Sequence, residues 1–337
     1  MARREVDVPA LVERAREGDP RSVARLISLV EDASPRLREV SALLVRHTGT
    51  AHVVGVTGSP GVGKSTTTSA LVTRLRERGH RVGVLAVDPS SSFSGGALLG
   101  DRVRMQDHAT DPGVYIRSMA TRGHLGGLSW ATPQAVRVLD AAGCDVVVVE
   151  TVGVGQSEID VAGLADTTVV LLAPGMGDGI QAAKAGILEV GDVYVVNKAD
   201  REGAGQVARD LRSMLSLGQR PEGSWRPPIV STVASQGEGL DDLAARIEEH
   251  RAHLDATGEL QRRRRLRVRD EIEAIAVTRL RESFADVSGD SRLDVLADDV
   301  LAGATDPFRA ADALLDRVVD TATDGGAPAS PPAPTGL

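Results

Sequence analysis

Val53-Val-Gly-Val-Thr-Gly58-Ser-Pro-Gly-Val-Gly63-Lys64-Ser65 runs from an apolar stretch through a glycine-rich turn to a lysine and a hydroxyl. Val53–Thr57 reads as a buried strand. Gly58–Ser65 matches the phosphate-loop pattern, a glycine, four residues, then Gly-Lys-Ser, directly before a helical stretch. The spacing has a physical reason. Glycines let the backbone turn its amides inward, and a helix N-terminus adds its positive dipole, so the two make a nest for phosphate oxygens. Lys64 is expected to reach the β- and γ-phosphates, and the Ser65 hydroxyl to ligate Mg²⁺. Ser59, Pro60, Gly61, Val62 and Thr66 complete the expected cradle.

Further apolar runs follow at Arg81–Val87, Val114–Ser118, Asp145–Glu150, Thr168–Ala173, Val193–Asn197 and Ile229–Thr232. Helix-length segments separate them. The pattern predicts βαβ units and a mostly parallel, doubly wound sheet, a three-layer α/β P-loop domain over residues 50–256. Residues 1–49 read as an N-terminal helical extension with breaks near Asp19-Pro20 and Ser34-Pro35. Residues 257–322 read as a C-terminal helical region with one long charged helix over 259–284, and 323–337 as a disordered tail rich in Pro, Ala and Gly. The long helix carries Leu266, Ile272, Ile275, Ala276 and Leu280, a stripe that must be buried on its own domain or on a second copy; a homodimer is the expectation. The run Arg262–Arg265 precedes Asp270, Glu271 and Glu273 and reads as a solvated or interface face rather than a nucleic-acid patch.

A second constellation follows the strand Val193–Val196: Asn197-Lys198-Ala199-Asp200. Guanine presents two neighbouring donors, its ring N–H and its exocyclic amine, and one carboxylate, Asp200, accepts both. Adenine would leave that carboxylate unpaired. The Lys198 stem can lie along the purine face, and Asn197 can tie the base loop to the phosphate loop. Ser231-Thr-Val233-Ala234 fits a backbone loop over the base edge. GTP is therefore the expected substrate and GDP the product. Asp88 and Glu150 end apolar runs, where acids suit the metal, and Gly153 lies in a turn whose amides suit a γ-phosphate. No residue is an obvious water-orienting glutamine or arginine finger, since Gln156 fits a turn cap as well as that role, so slow hydrolysis accelerated by a partner is expected.

Composition narrows the field. With 39 basic and 47 acidic residues the net charge is -8, which argues against nucleic-acid and anionic-membrane partners. A single cysteine, Cys144, excludes an internal disulfide and reads as core packing. No apolar run approaches the roughly 18 residues of a membrane span, and the first residues carry no signal segment, so a cytoplasmic location is expected. His250 and His253 lie three apart and read as a solvated helix face. The chain has three lysines, Lys64, Lys184 and Lys198, against 36 arginines. Two of the three lie in the nucleotide motifs, and all three are expected to be positions where a forked guanidinium does not replace a compact ammonium.

Several long motifs in order resemble the MeaB/ArgK/MMAA GTPases: Gly58–Ser65, Asp88-Pro-Ser-Ser-Ser-Phe-Ser-Gly-Gly with Gly100-Asp101-Arg102, Glu150-Thr-Val-Gly-Val-Gly-Gln-Ser-Glu158, and Pro174-Gly-Met-Gly-Asp178-Gly-Ile-Gln181-Ala-Ala-Lys184. The resemblance covers roughly residues 10–255. It implies a GTP-hydrolysing chaperone of a cobalamin-dependent acyl-CoA mutase, typically methylmalonyl-CoA mutase, that gates cofactor loading and protects or reactivates the mutase. It also implies that Asp88, Asp101 and Glu150 serve Mg²⁺ or its waters. Residues 175–188 become a switch loop for partner contact, with Asp178, Gln181 and Lys184 as its working residues. A metallochaperone GTPase for metalloenzyme maturation shares this nucleotide chemistry and stands as the alternative.

Overall fold

The computed structural model describes residues 6–32, 34–88, 108, 110–120, 131–151, 157–175, 189–217, 221, 223–288 and 292–313. All seven apolar runs form strands: β1 His52–Thr57, β2 Val82–Asp88, β3 Val114–Ala120, β4 Val146–Thr151, β5 Thr167–Leu172, β6 Val193–Asn197 and β7 Ile229–Thr232. They pair in parallel throughout, in the order β3-β2-β4-β1-β5-β6-β7. A parallel sheet sends every strand's C-terminal end to one edge. Thr57, Asp88, Thr151, Leu172, Asn197 and Thr232 therefore gather there, and β1 lies between β4 and β5 where the winding reverses.

Successive side chains on a strand face opposite ways, so a strand covered on both faces must be apolar at every position. Val53 joins a core with Leu85, Val87, Val147 and Val149 under α1 (Val8–Arg16), α2 (Pro20–Glu31), α3 (Leu37–Leu44), α5 (Ala131–Ala141) and α6 (Ser157–Leu164). Val54 joins a core on the other face with Val56, Val84, Val148 and Leu171 under α4 (Lys64–Glu77) and α8 (Leu240–Thr257). A third cluster packs α7 (Ala204–Leu217) on Val170, Leu172, Tyr194 and Val196. Asp19 caps α2 at the expected break, accepting from Ser22 N at 3.0 Å, with Pro20 at the first position, where a missing N–H costs nothing.

The compact unit that holds the sheet runs from Met1 to Arg264, and a second unit from Arg265 to Leu337. Helices α1–α3 thus share the sheet's own core. Gly258 breaks α8 from α9 (Glu259–Ser288) at φ 72°. The first turns of α9 nonetheless stay with the sheet. Arg263 donates to both Asp192 oxygens at 3.0 Å, and Arg264 clasps Asp166 at 3.2 and 2.7 Å. Half of the run Arg262–Arg265 is thus in ion pairs with the sheet rather than on a solvated face. The second unit contains the rest of α9 and α10 (Arg292–Leu301), with Leu266, Ile272, Ile275 and Leu280 exposed.

Those aspartates belong to a repeated device. An aspartate stands directly before β4, β5 and β6, and each carboxylate accepts the backbone N–H of a residue at the start of a neighbouring strand. Asp145 takes Arg81 N at 2.7 Å, Asp166 takes Val53 N at 3.0 Å and Asp192 takes Thr168 N at 2.9 Å. A buried chain runs beside them: His52 Nε2 is 2.8 Å from Thr167 Oγ1, which is 2.8 Å from His250 Nδ1. His250 is fully buried, not on the solvated face that its spacing from His253 suggested, because Trp225 and the sheet cover it. Its Nε2 lies 3.3 Å from Asp192 Oδ1, without the alignment of a hydrogen bond. That carboxylate favours the proton on Nε2. Nδ1 then accepts from the Thr167 hydroxyl, and His52 Nε2 donates to Thr167 Oγ1. Burial holds His52 down to about 3, with Asp166 opposing, and His250 down to about 4, with Asp192 opposing.

Candidate functional site

The phosphate loop leaves β1 and enters α4 at the sheet's C-terminal edge. Two of its glycines are required by contact as well as by conformation. A Cβ on Gly58 (φ 141°) would fall 2.3 Å from Leu171 O, and one on Gly63 (φ 98°) 2.4 Å from Asn197 Nδ2. Val62 is buried and anchors the turn, with its N–H on Ser59 O at 3.4 Å. Gly61 is open and Thr66 exposed on the outer side of the first turn of α4. The Lys64 ammonium donates to Gly58 O at 2.6 Å and Ser59 O at 3.1 Å, so the loop's own carbonyls hold its charge at the mouth of the turn. The dipole of α4 adds about half a positive charge there.

Ser65 Oγ donates to Glu150 Oε1 at 2.5 Å. Glu150 is buried at the end of β4 and shares a sheet face with Val146 and Val148, the face that α4 covers. The proton of Ser65 is thus directed to a carboxylate, which leaves the hydroxyl's lone pairs to face a cation. This oxygen-only pair fits Mg²⁺. Asp88 is the last residue of β2, two strands from the phosphate loop at the same edge. Asp101, Gly153, Gln156, Asp178, Gln181 and Lys184 lie outside the described residues.

Asn197 ends β6 and organises the other half of the site. Its Nδ2 donates to Val62 O at 2.8 Å, while its Oδ1 accepts from Thr232 Oγ1 and Ala234 N, both at 3.1 Å. Lys198 sits in the left-handed region at φ 57°, the only non-glycine there among the described residues. That conformation costs about 1 kcal/mol. The turn is held by Ala199 N on Thr232 O and Arg201 N on Lys198 O, both at 3.0 Å. Lys198 Nζ donates to Gly61 O at 2.7 Å, so two adjacent residues grip the phosphate loop. Asp200 is exposed at the end of this turn. Thr232 is the residue that sequence reasoning missed. Ser231 is exposed, while Thr232, one position on and on the opposite face of β7, reaches Asn197. Strand alternation through Val230 and Thr232 carried that signal. Val233 is buried and closes the turn with its N–H on Glu238 O at 3.1 Å.

This arrangement joins the phosphate loop to the Asn197–Asp200 turn across one sheet edge. The family model described as methylmalonyl Co-A mutase-associated GTPase MeaB matches residues 23–288. The chain belongs to the MeaB family. Among MeaB-like relatives, a putative GTPase of Pyrococcus horikoshii is 46% identical, covering 93% of this chain and 98% of that one. The mitochondrial methylmalonic aciduria type A homolog of Mus musculus is 36% identical over 89% of this chain and 76% of that one. The crystal structure of a LAO/AO transport system kinase superposes with a TM-score of 0.68 at 27% identity, covering 95% of this chain and 100% of that one. This MeaB-family protein is a GTPase and binds GTP and GDP. Cys144, its one thiol, is buried with burial pushing it up to about 12, so it packs as an apolar group. No helix among the described residues is long and apolar enough to cross a membrane.

Proposed function

We propose that this protein is a Mg²⁺-dependent GTPase that serves a cobalamin-dependent acyl-CoA mutase, methylmalonyl-CoA mutase first, from the cytoplasm and as a homodimer. The observation that carries the reading is the family match over 23–288, whose description names association with that mutase. In the proposed mechanism the phosphate nest of Gly58–Ser65 and the Lys64 ammonium hold the β- and γ-phosphates. Lys64 is already aimed into the loop by Gly58 O and Ser59 O. Ser65, with Glu150 as proton acceptor and Asp88 and Asp101 nearby in role, would hold Mg²⁺, which supplies charge neutralisation on the transferred phosphoryl group when bound. Gly153 is proposed to contribute to γ-phosphate binding. Asp200 accepts both guanine donors, Lys198 lies along the purine, and Ser231, Val233 and Ala234 border the base. Positioning and charge stabilisation account for the rate, and a water attacks in line.

The loop 175–188 is the proposed receiver of the partner's signal. It follows β5, whose end lies beside the phosphate loop, and Gln181 and Lys184 are its working residues. The test is GTP turnover of wild type, Gln181→Ala and Lys184→Ala, with and without purified methylmalonyl-CoA mutase. The mutase should accelerate wild type, and both variants should keep basal turnover yet lose most of the acceleration. If no acyl-CoA mutase accelerates wild type, the partner is wrong.

A further inference from the structure

The edge of the sheet opposite the phosphate loop carries two neighbouring arginines whose carboxylate partners differ. Arg263 spans both oxygens of Asp192, each at 3.0 Å, and donates to Asp166 O at 3.1 Å. Asp192 also receives Thr168 N at 2.9 Å, and its carbonyl receives Trp225 Nε1 at 2.7 Å. Asp192 is the residue directly before β6, and β6 is only five residues long, ending in Asn197. Every β6 residue is buried, and the strand is bonded to β5 on one side and β7 on the other. At about 3.3 Å per residue such a strand has no slack to absorb a shift between its ends. Arg264 instead holds Asp166 at 3.2 and 2.7 Å, with Ala51 O at 2.8 Å and Gly49 O. Those groups stand at the starts of β5 and β1, whose far ends lead to Pro174 and the phosphate loop.

We infer that Arg263 is a positioning residue for guanine discrimination, acting through Asp192 and β6 on the Asn197–Asp200 turn, while Arg264 positions the phosphate half. This rests on the base-reading role of Asp200 proposed above. Both guanidiniums are partly covered, with side-chain exposures of 32% and 18%, and each forms a two-pronged pair with a buried aspartate. Removing either leaves an aspartate without its counter-charge at the root of a strand. The carboxylate released differs, at the start of β6 for Arg263 and of β5 for Arg264, and so does the part of the nucleotide that its strand's far end meets.

The experiment measures the dissociation constants of GDP and IDP by calorimetry on the full chain, well below the unfolding midpoint of every variant. IDP lacks the exocyclic amine, so the ratio of the two constants reads the second guanine donor. Arg263→Met should lower the preference for GDP about three- to tenfold. Arg264→Met should weaken GDP and IDP together and leave the ratio at the wild-type value. Arg263→Lys keeps the charge but cannot bridge both carboxylate oxygens, so it should also lower the ratio; it serves if Arg263→Met does not fold. A wild-type ratio in the Arg263 variants, or an equal loss of ratio in Arg264→Met, overturns the inference. Asp200→Asn is the control: if it keeps the wild-type preference, the base-reading assignment itself fails, a different result from loss of preference in Asp200→Asn alone.

Discussion

Acid should unfold the sheet-bearing unit through its two buried histidines. An unfolded histidine titrates near 6.5, whereas His52 is held down to about 3 and His250 to about 4. The sign follows from proton counts. Between these values the unfolded chain binds protons that the folded one refuses, so stability is complete above 6.5 and falls as pH drops toward the folded values. From pH 7 to pH 5 each histidine removes about 1.9 kcal/mol, roughly 4 kcal/mol for the pair. That is a large share of the ~5–15 kcal/mol typical of a folded unit. Carboxylates with lowered values, such as Asp111 and Glu259, act only below this window. The assay is urea unfolding followed by far-UV circular dichroism at steps from pH 7 to pH 5, on wild type and His250→Gln. Glutamine can keep the contact with Thr167 but does not titrate, so the drop should fall to about 2 kcal/mol. A pH dependence in His250→Gln equal to wild type would refute the neutral, buried assignment and the tautomers derived from it.

Lys64→Ala should abolish measurable GTP turnover, and Glu150→Ala should lower it while nucleotide binding persists; wild-type turnover in Lys64→Ala removes the phosphate-loop reading. Asp200→Asn should weaken GTP binding by about 2–3 kcal/mol and favour xanthosine triphosphate, whose ring carbonyl accepts the new amide. Titration with both nucleotides checks this, and unchanged GTP affinity counts against it. Light scattering at micromolar concentration should give a dimer mass, because Leu266, Ile272, Ile275 and Leu280 are 43–63% exposed along α9. A monomer mass refutes that.

The strands were legible because a parallel sheet covered on both faces demands unbroken apolar runs, and Val146–Val149 and Val193–Val196 satisfy that without ambiguity. The phosphate loop and the Asn197–Asp200 turn that grips it stood out because each motif occupies a few consecutive residues at a strand end. What stayed hidden lies between distant residues. Nothing local to Arg263 or Arg264 distinguishes them from Arg262, which among the described residues pairs with Glu259 on the surface. Their partners are strand-start aspartates far back in the chain. A trace was available, since Cys144-Asp145, Ala165-Asp166 and Gly191-Asp192 each put an aspartate before an apolar run. His250 misled because its spacing from His253 suits an exposed face, whereas Leu243, Ile247 and Leu254 turn that side of α8 inward. The N-terminal helices read as an appendage because amphipathic spacing shows that a face is buried but not against what.

Asn197 has a consequence for the tempo of the switch. One side-chain amide, gripped from three directions by Val62, Thr232 and Ala234, makes a single rigid piece of three loops that come from separate parts of the chain. The disorder those loops would otherwise lose on meeting a nucleotide is lost already when the protein folds. On the proposed site, exchange of GDP for GTP would have no slow loop assembly to wait for around Asn197. The residence time of each nucleotide at that proposed site would be set by how quickly its own contacts break, which leaves timing to whatever acts from outside this rigid piece.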